Sequence, residues 1–581
     1  MIPKLYPRRC KSGWALRIVL LLLLPACSTQ ALRHNTTQQV SQQPFDVIIR
    51  GGVVYDGSGS PGVLGDVGIV AKRIVEIGDL SEAQANLVIS ADGKAVAPGF
   101  INVLSWAATS LIYDGRGLSD LAQGVTLEIF GEGISMGPLA NKTRSAAASL
   151  FPGAAKYVSE WTTLDEFLTL LTARGTSLNV ASLVGATTVR INHVGFENRS
   201  ATKAELSAMA KDVEQAMRQG ALGVGSSLIY PPASYANTEE LVTLARVAGR
   251  YGGVYASHIR SEGARLLESI DEILQISKEA DVGVHIYHLK AAGRENWAKL
   301  ESAIEKINTA RADGLSVTAD IYPYAAGSAG LLAATPPWAQ EGGFAEFIER
   351  AMNPTTRQKI IQAMEDPSDE WEQLLKLSGG GDGVTLLGFR DEALRALVGR
   401  TLSDVAEERG TSPEATILDL IVEDRSPVTA AYLLANEQNA STKIVQPWVS
   451  VGSDAGATPP EGAFLKFIVH PRTYGSFARI LSKYVRQEGI LSLEEGIRRM
   501  TTLPANTFGI SDRGRLEVGS YADIVVFDPS LIQDHATFAN PWQLATGVQH
   551  VLVNGTQVIR DGEPTEARPG MVVRGPGYRA P

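Results

Sequence analysis

The sequence predicts an α/β fold: a (β/α)8 TIM-type barrel with a small β-sandwich formed from both termini and an inserted segment. Strand-like and helical segments alternate through the middle of the chain, and similar short strands with glycine turns occur near both ends. In addition, His258 and His288 each end a short apolar run, about one strand–helix unit apart. Because a parallel barrel directs the residues at its strand ends toward one site, these two imidazoles are predicted to bind one metal.

The composition is typical of a soluble globular protein. The chain has 581 residues, of which 44% are hydrophobic and 20% charged, so it can bury a large core and form more than one domain. Its formal net charge is −10 and it has no long basic runs, which argues against a nucleic-acid-binding surface. A small anionic substrate would need only local positive groups.

Residues 1–26 have the pattern of an export signal. Basic residues precede an apolar stretch from Trp14 to Leu24, which is too short to span a membrane comfortably. The sequence Leu24-Pro25-Ala26-Cys27 resembles the cleavage box of bacterial lipoproteins, which implies a lipid on Cys27 as the membrane attachment. We therefore expect an exported lipoprotein on the periplasmic side of the outer membrane or in the cell envelope. The alternative is an uncleaved amino-terminal anchor.

Residues 27–44 are rich in Gln, Thr and Asn and are predicted to form a flexible tether. The alternating apolar segments of residues 45–98 predict the first part of the β-sandwich, and those of residues 508–581 predict its second part.

The barrel is predicted over residues 99–329 and 395–507. Residues 330–394 interrupt the strand–helix alternation and are interpreted as an insertion that could cover the active site, the alternative being a surface elaboration with no catalytic role. The predicted barrel strands lie within residues 97–105, 124–131, 179–184, 221–229, 254–258, 283–288, 316–322, 428–434 and 448–453.

Several motifs, taken together and in this order, resemble the amidohydrolase superfamily and, within it, the N-acyl-D-amino-acid deacylases (D-aminoacylases). The resemblance covers most of residues 46–580. The motifs include Val96-Ala-Pro-Gly-Phe-Ile101, Gly131-Glu-Gly-Ile-Ser135, His258 with Arg260, His288 with Lys290, Asp320-Ile-Tyr-Pro-Tyr324, Gly452-Ser-Asp454 and His470-Pro-Arg472.

The chain departs from the family pattern at the end of the first barrel strand. There the family has a His-x-His pair, whereas this chain has Leu104-Ser105-Trp106. Leucine and tryptophan do not ligate metals, so a binuclear centre of the family's usual kind is not expected and one metal site remains.

The resemblance implies that the remaining site is built from Glu132, His258 and His288, with Glu132 at the position where the family has a cysteine. Two imidazoles and a carboxylate with an open position for water suit catalytic Zn²⁺, and Mn or Fe stays possible. The alternative for Glu132 is a solvated loop carboxylate, and Glu128 is expected to be an interior carboxylate lower in the barrel.

The remaining candidate site residues also follow from the resemblance. Asp454, at the end of the last barrel strand, is the expected general base and acid. Tyr322, or alternatively Tyr324, would donate a hydrogen bond to the developing oxyanion. Arg472, Lys290 and Ser328 would bind the substrate carboxylate.

Together these observations predict a metal-dependent hydrolase for the amide bond of N-acyl-D-amino acids or related peptide-like compounds. A cyclic-amide or dipeptide amidohydrolase on the same barrel is one alternative, since the fold does not fix the substrate. A catalytically inactive ligand-binding lipoprotein is the other. No nucleic-acid partner is expected, and the sequence leaves the oligomeric state open.

Overall fold

The computed structural model of the protein describes residues 44–151 and 153–579. The predicted signal peptide, Cys27 and nearly all of the predicted tether lie outside the described residues. Within the described ranges, no helix combines the length and the apolar character needed to cross a lipid bilayer.

Five strands lead into the barrel. Strand β1 pairs with β2 in antiparallel orientation and with both β4 and β5 in parallel orientation. Four of the five β-branched residues of β1 are buried, which is the pattern expected for a strand with neighbours on both edges. The strands are β1 (Phe45–Val54), β2 (Val63–Val70), β3 (Arg73–Gly78), β4 (Ala85–Ser90) and β5 (Ala95–Pro98).

The first part of the barrel alternates strands and helices. Two of its helices begin at capping boxes, and Thr202 and Glu205 form the one at the start of the helix Lys203–Arg218. The elements are β6 (Phe100–Asn102), α1 (Ala107–Tyr113), α2 (Leu118–Leu121), β7 (Val125–Phe130), α3 (Asn141–Ser145), α4 (Ala147–Leu150), α5 (Leu164–Arg174), β8 (Asn179–Ser182), β9 (Val184–Gly185), α6 (Ala186–His193), α7 (Lys203–Arg218), β10 (Gly223–Ser227), α8 (Thr238–Arg250), β11 (Val254–His258), α9 (Leu266–Ala280), β12 (Val284–Ile286), α10 (Lys299–Ala312) and β13 (Val317–Ile321).

An inserted unit with its own apolar core follows β13. Residues such as Phe347, Ile360 and Leu418 form that core, separate from the barrel core. The elements are β14 (Ala326–Gly330), α11 (Phe344–Met352), α12 (Pro354–Glu365), α13 (Leu374–Leu377), β15 (Val384–Gly388), α14 (Leu402–Arg409), α15 (Pro413–Asp424) and β16 (Thr429–Leu433).

One predicted barrel strand lies in this inserted unit. Residues 428–434 form β16, which pairs in antiparallel orientation with β14 and β15 and not with a barrel strand. A short apolar run has the same local pattern in either sheet, so only the long-range pairing distinguishes the two. The inserted unit thus extends on both sides of the predicted range 330–394.

The last part of the chain completes the barrel and the terminal sheet. A π-helical stretch, Ile480–Gln487, continues directly from the helix Arg472–Arg479. The remaining elements are α16 (Glu437–Ile444), β17 (Val449–Val451), α17 (Arg472–Arg479), α18 (Leu493–Met500), α19 (Thr502–Thr507), β18 (Ile524–Phe527), β19 (Val548–Val553), β20 (Thr556–Arg560) and β21 (Glu563–Pro564).

Strands from both ends of the chain form one nine-stranded sheet, in the order β21-β20-β19-β18-β5-β1-β2-β3 with β4 paired to β1. The barrel consists of two parallel groups, β6-β7-β8 and β9-β10-β11-β12-β13-β17. The Asp454 N–H donates to the carbonyl of Leu104 at 2.8 Å and links the two groups. The predicted fold class is confirmed, and the carboxyl ends of the barrel strands meet at one face.

Candidate metal centre and catalytic cavity

Glu132, His258 and His288 come together at the carboxyl ends of three barrel strands. Glu132 lies two residues after β7, His258 ends β11, and His288 lies two residues after β12. Oε1 of Glu132 is 3.2 Å from Nδ1 of His258 and 3.2 Å from Nε2 of His288. All three side chains are at least 95% buried, so Glu132 is not a solvated loop carboxylate.

The backbone around Glu132 explains why glycines flank it. Gly131 has φ 108° and Gly133 has φ 68°, in the region that glycine adopts without steric cost. A Cβ on Gly131 would lie 2.4 Å from the carbonyl oxygen of Leu183, between β8 and β9. The glycines thus let the chain turn at the end of β7 and aim the carboxylate at the two imidazoles.

His288 and Asp454 are also held in uncommon backbone conformations. His288 has φ 33° and Asp454 has φ 50°, values that non-glycine residues rarely adopt. The His288 N–H donates to Oδ1 of buried Asp320 at 3.1 Å, which supports its conformation. Such strain persists only where surrounding contacts fix the residue, and it is concentrated at functional sites.

Glu262 and Lys290 form a second layer behind the histidines. Oε1 of Glu262 is 3.0 Å from Nδ1 of His288 and 2.6 Å from Nζ of Lys290. A carboxylate beside Nδ1 favours the tautomer with its proton there, and this leaves Nε2 of His288 available to a metal. The sequence did not reveal Glu262, because a glutamate in a loop is usually exposed.

The contacts of Lys290 differ from its expected role. Its ammonium donates to Glu262 at 2.6 Å, which holds that carboxylate beside Nδ1 of His288 and neutralises the charge of Lys290. Lys290 therefore supports the orientation of His288, and its contacts give no support to the expected binding of a substrate carboxylate. The resemblance implied a free cation at this position, but Glu262 approaches Lys290 in the folded chain.

The electrostatics of the cluster favour an anionic Glu132. Burial opposes its ionisation, but the hydrogen bonds and charges of His258 and His288 outweigh this effect and hold the pKa of Glu132 well below its usual range. The pKa of His288 is raised: burial and Lys290 lower it, but Glu262 and Glu132 prevail.

The donor set fits a divalent metal. Two imidazole nitrogens and one carboxylate oxygen lie within 4.8 Å of one another, a set and spacing suited to Zn²⁺ with an open position. The buried Nε2 of His258 has no hydrogen-bond partner among the described residues, and it lies 3.6 Å from Glu262. Cation binding through the other ring nitrogen would leave this atom protonated and facing a carboxylate, the arrangement that orients metal-bound histidines.

Asp454 faces the same cluster and is bound by Arg472. Nη1 of Arg472 lies 2.8 Å from Oδ2 of Asp454, and both side chains are almost fully buried. Burial raises the pKa of Asp454, and the charge of Glu132 adds to this, whereas Arg472 opposes it. A raised carboxyl pKa suits a group that must accept and release a proton near neutral pH.

A cavity of about 640 Å³ opens onto these residues. Tyr322, at the end of β13, lines it with its ring 4.5 Å below the Arg472 guanidinium. Ser328, on β14 of the inserted unit, lies in the wall, whereas Tyr324 packs against His470 away from the lining. The inserted unit thus supplies part of the cavity wall.

Sequence reasoning missed two further lining residues. The Tyr230 ring lies 5.4 Å from that of His258. Trp106 reaches the cavity from the loop after β6, with its indole N–H near Glu132 and Asp454. Trp106 could have been found because it stands where the family has the second histidine of the His-x-His pair. A tyrosine or a tryptophan in the sequence does not by itself indicate a place in the cavity lining.

Comparisons with known proteins agree with this geometry. The amidohydrolase family model matches residues 160–559. The chain is 32% identical to a D-aminoacylase of Alcaligenes xylosoxydans xylosoxydans over 92% of this chain and 99% of that enzyme. An N-acyl-D-glutamate deacylase from Bordetella bronchiseptica, solved with zinc and a phosphonate mimic of the tetrahedral intermediate, is 30% identical with a TM-score of 0.75, covering 92% of this chain and 100% of that one.

A D-aminoacylase structure described by its binuclear metal centre, with activation by one metal and attenuation by a second, is also similar. It is 31% identical with a TM-score of 0.74, and the match covers 91% of this chain and 99% of that one.

Proposed function

Because the chain belongs to the amidohydrolase family, we propose that it hydrolyses the amide bond of N-acyl-D-amino acids with one Zn²⁺ held by Glu132, His258 and His288. The observation that carries this proposal is the convergence of these three donors, within 4.8 Å, beside Asp454 at one face of the barrel. The N-acyl-D-amino-acid substrate class is supported by the similarity to a D-aminoacylase and to an N-acyl-D-glutamate deacylase.

The metal, when bound, would lower the pKa of a water molecule so that hydroxide is available near neutral pH. Asp454 is placed to accept the proton from the attacking water and to deliver it to the departing amine nitrogen. Its bond to Arg472 keeps the carboxylate oriented toward the cavity. Tyr322 lines the same cavity and would donate its hydroxyl to the developing oxyanion.

Arg472 is the proposed partner for the substrate carboxylate. Its Nη1 forms an ion pair with Asp454, and neither Nε nor Nη1 has a hydrogen-bond partner among the described residues. The guanidinium can bind a second carboxylate through another pair of N–H groups because it offers five donors in one plane. Ser328 would add a hydroxyl from the inserted unit.

The test combines metal analysis with paired substrates. The purified full chain should contain about one equivalent of zinc and should hydrolyse N-acetyl-D-amino acids faster than their L enantiomers. His288→Ala should lose both the metal and the activity. The matched control is His193→Ala, because His193, at the end of α6, pairs with Asp212 on α7 and is absent from the cavity lining. Turnover that survives in metal-free His288→Ala protein would refute the proposed mechanism, and equal turnover of both enantiomers would remove the D preference.

We also propose that the protein is exported and attached to the membrane by a lipid on Cys27. The support is the residue pattern around Leu24-Pro25-Ala26-Cys27. Cys27→Ser should move the protein from the membrane fraction to the soluble fraction and abolish labelling with a radioactive fatty acid. Unchanged fractionation and labelling would contradict the proposal.

A further inference from the structure

The indole N–H of Trp106 lies between two acidic residues of the site. Its Nε1 is 3.1 Å from Oε2 of Glu132 and 3.0 Å from Oδ1 of Asp454. Both distances lie within the range of N–H···O hydrogen bonds, so the one hydrogen is shared between the two acceptors.

In each of the two carboxylates, one oxygen faces Trp106 and the other faces a different partner. Glu132 turns Oε1 toward the histidines and Oε2 toward Trp106. Asp454 turns Oδ2 toward Arg472 and Oδ1 toward Trp106. Two carboxylates that face each other in a buried site repel, and a cation or a hydrogen-bond donor between them relieves that repulsion. Here the donor is a neutral indole.

The backbone holds the indole in this position. The Trp106 N–H donates to the carbonyl of Ala455 at 3.0 Å, and Asp454 donates to Leu104 at 2.8 Å. The loop that carries Trp106 and the loop that carries Asp454 are therefore joined on both sides of the contact. The Trp106 side chain nevertheless stays 40% exposed, an unusual exposure for so large an apolar group, and it lines the cavity.

We propose that Trp106 takes the place of a second metal ion between Glu132 and Asp454 and positions Asp454 in a one-metal enzyme. The catalytic half of this inference rests on the proposed function. The claim that the protein binds one metal does not, because it follows from the position of the indole between Glu132 and Asp454 and from its hydrogen bonds to their oxygens. Trp106 is a positioning residue in this account, since it acts through Asp454.

Metal stoichiometry tests whether Trp106 takes the place of a second metal ion, and this test needs no substrate. Wild-type protein, equilibrated with increasing zinc and analysed by elemental mass spectrometry, should saturate at one tight site. Leu104→His/Trp106→His, which restores a His-x-His pair and removes the indole, should bind two. Two tight zinc ions on the wild-type protein would overturn the inference, as would a single ion on the double-histidine variant.

Steady-state kinetics tests whether Trp106 positions Asp454. Trp106→Phe keeps an aromatic ring and removes the N–H, so kcat should fall about 10- to 100-fold, the effect of one hydrogen bond to a charged group. KM should change less than about threefold, because the lost bond orients Asp454 and not the substrate. Trp338→Phe is the matched control, since Trp338 is 39% exposed on the inserted unit and does not line the cavity.

The outcomes separate this inference from the proposed function. An unchanged kcat in folded Trp106→Phe protein would refute the positioning role even if the wild-type enzyme is an efficient deacylase. If the wild-type protein turns over no N-acyl-D-amino acid, the proposed function is refuted. If the same protein binds one zinc and the double-histidine variant binds two, the inference that Trp106 replaces the second metal is still supported.

Discussion

Glu262 provides the sharpest test of the metal centre, because it contacts a metal ligand without being one. Its carboxylate lies 3.0 Å from Nδ1 of His288 and 2.6 Å from Nζ of Lys290, and all three groups are buried. Glu262→Gln keeps the size of the side chain and removes its charge. His288 then faces a neutral amide in place of the carboxylate that fixes its tautomer, and Lys290 loses its counter-charge.

Both losses have an expected magnitude. Loss of the partner that orients a metal-bound histidine weakens metal affinity about 10- to 100-fold, which corresponds to about 1.4–2.7 kcal/mol. Removal of one partner of a buried ion pair destabilises the fold by about 3–5 kcal/mol. Zinc affinity should be measured by competition with a chromophoric chelator, and stability by urea unfolding of the metal-free protein.

A matched control separates the loss of an ion pair from the loss of the contact with His288. Glu272→Gln also breaks an ion pair with a basic side chain, since Glu272 bonds to Arg260 at 2.8 Å, but it contacts no proposed ligand. This control should leave zinc affinity unchanged. If Glu262→Gln binds zinc as tightly as the wild-type protein, Glu262 does not orient His288 and the proposed ligand geometry is wrong.

Three further predictions concern catalysis, specificity and pH. Asp454→Asn should lower kcat about 10²- to 10⁴-fold with zinc content retained. Because the base must be deprotonated, wild-type kcat should also fall as the pH decreases through the raised pKa of Asp454. A pH–rate profile of both proteins checks this. The value of kcat/KM should rise about fourfold per added methylene from N-acetyl to N-hexanoyl substrates, because Ile134, Met136 and Phe151 line the cavity; a flat series would show that the acyl chain does not contact them. Finally, burial raises the pKa of Asp120, which titrates together with buried Glu128, so the protonated form contributes stability at low pH that is lost as the pH rises through the raised pKa. Thermal melts of Asp120→Asn should show a weaker decline with rising pH.

Much of the site could be predicted because its residues stand at strand ends. His258 and His288 follow apolar runs, and Asp454 follows β17, so the barrel alone brings them to one face. Glu132 followed from its position relative to the family's cysteine. By contrast, Glu262 and Tyr230 carry no local signal, since their importance depends on which side chains approach them across the cavity.

Residues 428–434 are the part of the fold where the predicted sheet is wrong. Residues 428–434 have the length and apolar character of a barrel strand, and β16 is indeed a strand. Its partners β14 and β15 lie far away in sequence, however, and local pattern does not encode such pairing.

The sequence by itself determined the alternation of strands and helices, and with it the face of the barrel where the histidines and Asp454 meet. Periodicity and strand-end position are local properties, so they can be read directly from the order of residues. Only the tertiary structure decided that Lys290 is bound to Glu262 and that the Trp106 indole lies between two carboxylates. These contacts join residues from different loops, and a side chain's charge state and role depend on the partners that folding brings within hydrogen-bond distance.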